Sequence, residues 1–542
     1  MKKMIFTSLF TLILIFSLTT LTDVHQSQSA LASSNSFQDK LEIFQLILDT
    51  IQQRYVDEYS KDELLEYAIN GMLSKLDPHT SYLPVDNFKR WNKNFEGFQG
   101  LGIQYIFIDN APTITGFISG SPAKEAGANT GDRIIEIDDL DAKNLSRLEL
   151  AEIINNSPHP VLTMKVWRPS ANEMRTFKIR RTHLNLKSVQ TKTMLQNAVG
   201  YIHIDRLCSN TVYELDAAME LLSRQGMRSL VIDLRDNGGG YLSSAVEVAD
   251  RFLPPGKLIV YTMGKDPASY QEYVSSRSSM FSEIPLTILI NHGTASAAEI
   301  VAGALQDWDR ALIVGETSFG KGLVQSQYRF RDGSALLVTT AKYYTPLGRL
   351  IQRNYYDCTK DEYYYDAYDE ESHRPELQAQ NGETFVTPRG RKVFGGGGIA
   401  PDVWMKNNAS IVSDELLDLY LNHNEEVLKF ALKLLYKRPF LSKKTAEELD
   451  ASIFITEAEM HDFKTLIGNF SNNYSPNFFE RNKKDIQFLL RREVGYLSHG
   501  SDGRFSIAKT RDTQLYTAIE NQRKAVSLVQ YQLSHLSREK TE

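Results

Sequence analysis

The chain reads as a multidomain α+β protein: an N-terminal helical module, a β-rich domain, a layered α/β core and a helical C-terminal extension. Three observations predict that order. A helical stripe of apolar residues lies behind a capping pattern near Ser36. Short β-type runs follow from Phe95 to about His183. From about residue 185 to 350, buried strands alternate with helices at the spacing of a layered parallel sheet. The length of 542 residues suits three or four such domains.

Composition removes several classes. At 42% hydrophobic and 24% charged residues, the chain is neither disordered nor a polytopic membrane protein. Lys+Arg 61 against Asp+Glu 67 gives a net charge of −6. No broad positive field is available, so nucleic acid is not an expected partner. The two cysteines, Cys208 and Cys358, can form one bridge at most and build neither a zinc ribbon nor an iron–sulfur site.

Residues 1–32 have the features of a secretory signal: Lys2 and Lys3, an apolar run over 4–21, and Ala30-Leu31-Ala32 as a small-x-small cleavage site. Export to the periplasm or cell envelope is therefore expected, with an uncleaved membrane anchor as the alternative. Residues 33–93 form the helical module, with Leu41, Phe44, Leu48, Ile51 and Tyr55 on one face of its first helix and a second helix over about 61–75. Residues 94–183 carry β-type runs at 103–108, 133–137, 162–167 and 177–179 around one helix at 147–155. Residues 184–405 hold the α/β core, with strands at 200–204, 230–234, 286–290 and 311–314. Within it, 352–394 is rich in Tyr, Asp and Glu, lacks periodicity and reads as a surface insertion. Residues 406–542 form a mixed-charge helical extension.

Three loops follow predicted core strands, where open α/β sheets place their sites. Asp236-Asn237-Gly238-Gly239-Gly240 lets the backbone approach a ligand and point N–H groups at it. Asn291-His292-Gly293-Thr294-Ala295-Ser296-Ala297-Ala298-Glu299 places Ser296 at a helix N-terminus, where developing negative charge is favoured. The same Ser-x-x-Glu is also a capping box, the more ordinary reading of that segment alone. Gly315-Glu316-Thr317-Ser318-Phe319-Gly320-Lys321-Gly322 nearly matches a phosphate-binding loop, but Gly322 offers no hydroxyl to magnesium. Taken together, the loops suit a serine activated by a lysine. Bringing a lysine from about 10.4 to about 7.5 costs roughly 4 kcal/mol of differential solvation, a demand a closed pocket can meet. A Ser-His-Asp triad using His292 or His203 with Asp236 is the rival arrangement, and the residues alone leave the two near parity.

The chain resembles the carboxy-terminal processing peptidases, or tail-specific proteases, over roughly residues 40–405. The motifs are Leu76-Asp77-Pro78-His79-Thr80-Ser81-Tyr82-Leu83, then Gly100-Leu101-Gly102-Ile103, Ser121-Pro122-Ala123, Ala126-Gly127 and Gly131-Asp132, which resemble a PDZ domain. Leu234 to Gly240, Thr294 to Ile300 and Thr317 to Gln325 resemble the catalytic core, which implies a crotonase/ClpP-like layered fold. Tyr343 to Arg349 and Gly398 to Asp402 are also family-like. The resemblance implies Ser296 as nucleophile, Lys321 as general base, Gln325 orienting one of them, and an oxyanion hole from the Gly240 and Ala297 N–H groups. It favours the Ser/Lys dyad over the triad. It implies no metal and no organic cofactor. Ala298 departs from the serine found in many relatives and touches none of these roles.

A PDZ-like domain takes a free C-terminus by cradling the carboxylate on loop N–H groups and pairing the peptide with an edge strand. Gly100, Leu101, Gly102, Ile103, Tyr105 and Ile154 are the groove residues so implied, with core packing an equal reading for Ile103, Tyr105 and Ile154. The expected function is an exported serine endopeptidase that recognises C-terminal tails of polypeptides. An adaptor protein and homo-oligomerisation are further expectations for its partners. A non-catalytic PDZ scaffold on a degenerate peptidase core, a nucleotide-binding protein and an ester hydrolase are the alternatives.

Overall fold

The computed structural model describes residues 36–276, 281–367, 382–406, 413–468, 474–475 and 477–539. The signal sequence expected over 1–32 lies outside them. Among the described residues no helix is long and apolar enough to cross a membrane. The chain divides into two compact units, the first ending at Tyr82 and the second starting at Leu83.

The first unit contains α1 (Phe37–Arg54) and α2 (Lys61–Leu73). Each begins in a complete capping box: Ser36 with Asp39, and Ser60 with Glu63. Near the end of the unit Asp77 closes a tight turn, its carboxylate accepting the His79 and Thr80 N–H groups and the Thr80 hydroxyl.

The second unit starts with α3 (Val85–Glu96) and an antiparallel sheet of β1 (Ile103–Ile108), β2 (Ala111–Phe117), β3 (Arg133–Ile137), β4 (Val161–Arg168) and β5 (Glu173–Arg180), in that spatial order, with β1 at the edge. Helix α4 (Arg147–Asn156) starts at a Ser146/Glu149 capping box and buries Leu150 and Ile154 against this sheet. Asp132 and Arg168 form a buried bidentate pair at 2.7 and 2.8 Å, which explains the acidic residue after Gly131.

The core sheet contains β6 (Val189–Met194), β7 (Val199–Ile204), β8 (Ser229–Asp233), β10 (Leu286–Ile290), β11 (Ala311–Gly315) and β14 (Val403–Trp404), arranged 6-7-8-10-11-14. All neighbours are parallel except β6 against β7. Between them run α5 (Thr211–Arg224), α6 (Leu242–Asp250), β9 (Leu258–Gly264) and α7 (Ala297–Asp307), followed by the hairpin β12 (Leu323–Arg329) and β13 (Ala335–Tyr344), whose second strand pairs with β9. Strands β8, β10 and β11 are buried at every residue, as parallel strands covered on both faces must be. Ile202, Ile232 and Ile288 face α5, α6 and α7. Tyr201, Val231 and Leu289 face the other way, against Leu515, Ala518, Ala525 and Leu528 of the C-terminal extension.

That extension comprises α8 (Asp414–Asn422), α9 (Asn424–Lys437), α10 (Glu457–Ile467), α11 (Lys483–Ala508), α12 (Thr513–Glu520) and α13 (Gln522–Glu539). Helices α8 to α11 share a core of their own, with Phe430, Phe463, Leu490 and Val494 fully or nearly fully buried. Helices α12 and α13 supply the third layer of the α/β core, a role that periodicity could not assign to them. The expected surface insertion also differs from the reading: its described ends contain the helix Lys360–Asp366 and a hairpin of Thr384–Val386 with Lys392–Phe394. Tyr363 from that helix is buried against Phe319 of the lysine loop, ring centroids 5.8 Å apart.

Candidate active site

Because β8, β10 and β11 run parallel side by side, the three loops that follow them emerge at one edge of the sheet. The glycine loop and the serine turn are bound to each other: the Ala295 N–H donates to the Asn237 carbonyl at 2.9 Å, and the Asn291 side chain exchanges hydrogen bonds with Asp236, both at 2.9 Å. Gly239, at φ +96°, lies so close that a Cβ there would come within 2.8 Å of the Ala295 carbonyl oxygen and 2.9 Å of Ser296 Cβ. Only glycine fits that approach.

Ser296 adopts φ 58° and ψ −121°, a left-handed conformation that costs a non-glycine residue on the order of 1–3 kcal/mol. Two side chains hold it there. Glu299, fully buried, accepts the Ser296 N–H at 2.7 Å and the Lys321 N–H at 2.9 Å on the same oxygen, Oε2. Its other oxygen accepts the Ser318 hydroxyl at 2.5 Å and the Gly320 N–H at 2.7 Å. The Tyr343 hydroxyl lies 3.0 Å from the Ser296 carbonyl and 2.6 Å from the Lys321 carbonyl. The serine turn and the lysine loop are thus clamped through their N–H groups and again through their C=O groups. Burial pushes the Glu299 carboxyl up to about 7 despite its four donors. Burial likewise holds the Tyr343 phenol well above its ordinary range.

Ser296, Lys321, Gln325, Gly240 and Ala297 line one cleft of about 320 Å³. Within it, Lys321 Nζ donates to Gln325 Oε1 at 2.6 Å. Among the described residues, neither the Gly240 nor the Ala297 N–H has a hydrogen-bond acceptor. Two donors at the mouth of α7, beside a serine, are what an oxyanion requires. Most of the remaining wall is apolar, from Trp91 and Phe95 of α3, Ile300, Leu323 and Leu337, and Gln327 and the Tyr241 and Tyr343 side chains complete it. Phe95 leans on Tyr241 and on Trp91, with ring centroids 5.8 and 5.0 Å away. The histidines of the rival triad, His203 and His292, and its Asp236 are not among the cleft-lining residues.

The profile of Peptidase family S41 matches residues 198–361, that of a PDZ domain residues 113–168, and that of the activating protease CtpB N-terminal domain residues 8–87. The carboxy-terminal-processing protease of Bartonella bacilliformis is 36% identical over 314 residues, 56% of this chain and 71% of that protein. The carboxyl-terminal-processing protease of a Picosynechococcus species is 35% identical over 300 residues, 54% of this chain and 72% of its own. The chain belongs to the carboxy-terminal processing peptidase family. It is a serine-type peptidase that carries a PDZ domain. Among solved structures, the photosystem II D1 C-terminal processing protease is 26% identical and aligns with 67% of this chain and 92% of its own, at a TM-score of 0.35.

In the PDZ domain of this peptidase, the Leu101 and Gly102 N–H groups have no acceptor among the described residues. Successive side chains of β1 part to opposite faces. Ile103, Tyr105 and Phe107 pack toward the domain core and α4, while Gln104, Ile106 and Ile108 face the C-terminal helices. Leu101 and Ile154 are buried in the domain core, so ordinary packing describes their side chains. Gly100 is buried as well, beside the Phe98 ring. Sequence reasoning missed the cleft walls Trp91 and Phe95 and the clamp residues Ser318 and Tyr343. It noted Glu299 only as a cap, and the spacing of that capping box was the signal that could have led further.

Proposed function

We propose that this peptidase cleaves polypeptides by an acyl-enzyme route in which Ser296 is the nucleophile and Lys321 the general base. The observation that carries the reading is the pair of clamps that joins the Ser296 turn to the Lys321 loop within a cleft offering the Gly240 and Ala297 N–H groups. Neutral Lys321 Nζ removes the Ser296 hydroxyl proton as Oγ bonds to the scissile carbonyl carbon. The carbonyl oxygen takes the charge and is met by the two N–H groups. Lys321, now ammonium, returns the proton to the leaving amine as the C–N bond breaks. Water then attacks the ester with the same lysine as base and frees Ser296. Gln325 fixes the Nζ position through its 2.6 Å hydrogen bond.

Recognition falls to the PDZ domain. Leu101 and Gly102 N–H groups receive a terminal carboxylate, and the edge strand β1 pairs with the tail alongside Ile103 and Tyr105. The apolar cleft walls suit an apolar side chain next to the scissile bond. The protein is exported, as the leader over 1–32 implies, and works on unstructured chain ends outside the cytoplasm. The test is cleavage of a loosely folded protein with and without an apolar C-terminal tail. Tail removal is expected to raise KM, and equal cleavage of both would remove the PDZ domain from recognition.

A further inference from the structure

The glycine loop has a support from far along the chain. Arg235, which immediately precedes Asp236, donates from Nε to Asp233 Oδ1 at 2.9 Å and places Nη1 and Nη2 on the two oxygens of Asp512 at 2.9 and 2.6 Å. A third acceptor, Gln514 Oε1, lies 3.1 Å from Nη1. The Arg235, Asp233 and Asp512 side chains are only 12%, 3% and 10% exposed, so the cluster works at low dielectric. Burial opposes the Arg235 charge, yet the two carboxylates hold it well above its ordinary range. Asp512 is itself fixed: it caps α12 by accepting the Leu515 N–H at 2.9 Å. On the preceding helix, Phe505 stacks on Tyr201 at 4.3 Å, and the Tyr201 hydroxyl donates to Asp233 at 2.7 Å.

From Arg235 the line to the serine is short. Asp236 takes a left-handed conformation at φ 58°, Asn237 receives the Ala295 N–H, and Gly239 abuts Ser296. An arginine guanidinium engaged on three sides cannot shift without carrying that turn with it.

We infer that Asp512, carried by the C-terminal extension, is a positioning residue for peptide hydrolysis, acting through Arg235 to hold the glycine loop against Ser296. The inference rests on the proposed Ser296 site and makes the extension part of the reaction's machinery, although Asp512 touches no substrate. A bidentate buried pair fixes geometry, and misplacing an oxyanion donor is felt in the transition state more than in substrate binding.

The test uses the full chain with Asp512→Asn, which keeps the cap and the volume and removes the charge, together with Asp512→Glu, Arg235→Gln and the double variant Arg235→Gln/Asp512→Asn. For D512N, kcat is expected to fall about tenfold or more with KM within about twofold of wild type, consistent with loss of transition-state stabilisation. D512E recovers most of kcat, and the double variant is no slower than R235Q alone. The inference is overturned by a D512N enzyme with unchanged kcat, by a rise in KM alone, by multiplicative effects in the double variant, or by a D512N chain that fails to fold. If Ser296→Ala or Lys321→Ala retains activity, the underlying reading fails instead, whatever D512N does.

Discussion

The Ser296 and Lys321 N–H groups meet on one atom, Glu299 Oε2, at 2.7 and 2.9 Å. A buried carboxylate therefore sets the distance between two loops that follow different strands. Replacing it with glutamine keeps the shape but turns one acceptor atom into a donor. Glu299→Gln should lower kcat by about 10²-fold or more, because at least one of the buried N–H groups loses its partner at a cost of roughly 1–3 kcal/mol and the reacting groups drift apart. Steady-state kinetics on a flexible protein substrate measures this.

The same carboxyl gives a pH dependence whose sign is opposite for stability and activity. Its folded value, about 7, lies above the ordinary glutamate value, so the native state binds the proton more tightly than the unfolded chain. The protonated form therefore contributes stability in full below about pH 4.5, and that contribution is lost as pH rises through about 7. The loss is on the order of 3 kcal/mol. Activity needs the ionised acceptor and should fall as pH drops through about 7. Urea unfolding of wild type and E299Q between pH 4.5 and 8 should show this slope in the former and its absence in the latter.

Gly239→Ala should abolish most activity. Its Cβ would press on the Ala295 carbonyl and on Ser296 at 2.8 and 2.9 Å, at a φ that L-residues rarely adopt. Relief requires moving the serine turn, since the neighbour is backbone rather than a flexible side chain. A loss of roughly 10²-fold or more in kcat is expected, on the scale of an oxyanion donor displaced from its place. Gly238→Ala is the control: nothing lies within 4 Å of a Cβ there.

Phe95→Ala opens the wall shared by Trp91, Phe95 and Tyr241. A lost apolar contact discriminates between substrates by about 1–3 kcal/mol. Preference for an apolar residue at the cleavage site should fall by tens of fold in kcat/KM, as mapped by mass spectrometry of products from a peptide library. Unchanged preference would place the specificity wall elsewhere.

Much of this site was legible because its determinants are local. The strand Leu286–Ile290 is an apolar run broken only by Thr287 and bounded by Pro285 and the turn Asn291-His292-Gly293, and the glycine and lysine loops announce themselves by composition. Ser36, Ser60 and Ser146 cap helices through contacts three residues away, which spacing encodes. Long-range partners are different. Nothing in Tyr343 or Phe95 marks them for Ser296, since each reaches the cleft through a fold that must first be known. Helix α12 shows an apolar face that needs covering, but periodicity does not name Val231 and Leu289 as what it covers. The layer that covers the far face of these strands comes from Leu515 to Leu528, more than two hundred residues beyond Leu289. Tyr363 escaped for the opposite reason: it sits in a tyrosine-rich, acidic stretch whose composition argues for solvent, yet it is among the most buried rings of the core.

The central claim is that Lys321 activates Ser296. Intact-protein mass spectrometry during turnover of a tailed substrate, with wild type, Ser296→Ala, Lys321→Ala and Lys321→Arg, tests it most directly. Arginine keeps the charge but cannot act as a base near neutral pH. The expected result is an acyl adduct on wild type, mapped to Ser296, with no adduct and no cleavage in any of the three folded variants. Cleavage that persists in Lys321→Arg, or an adduct on another residue, would contradict the account.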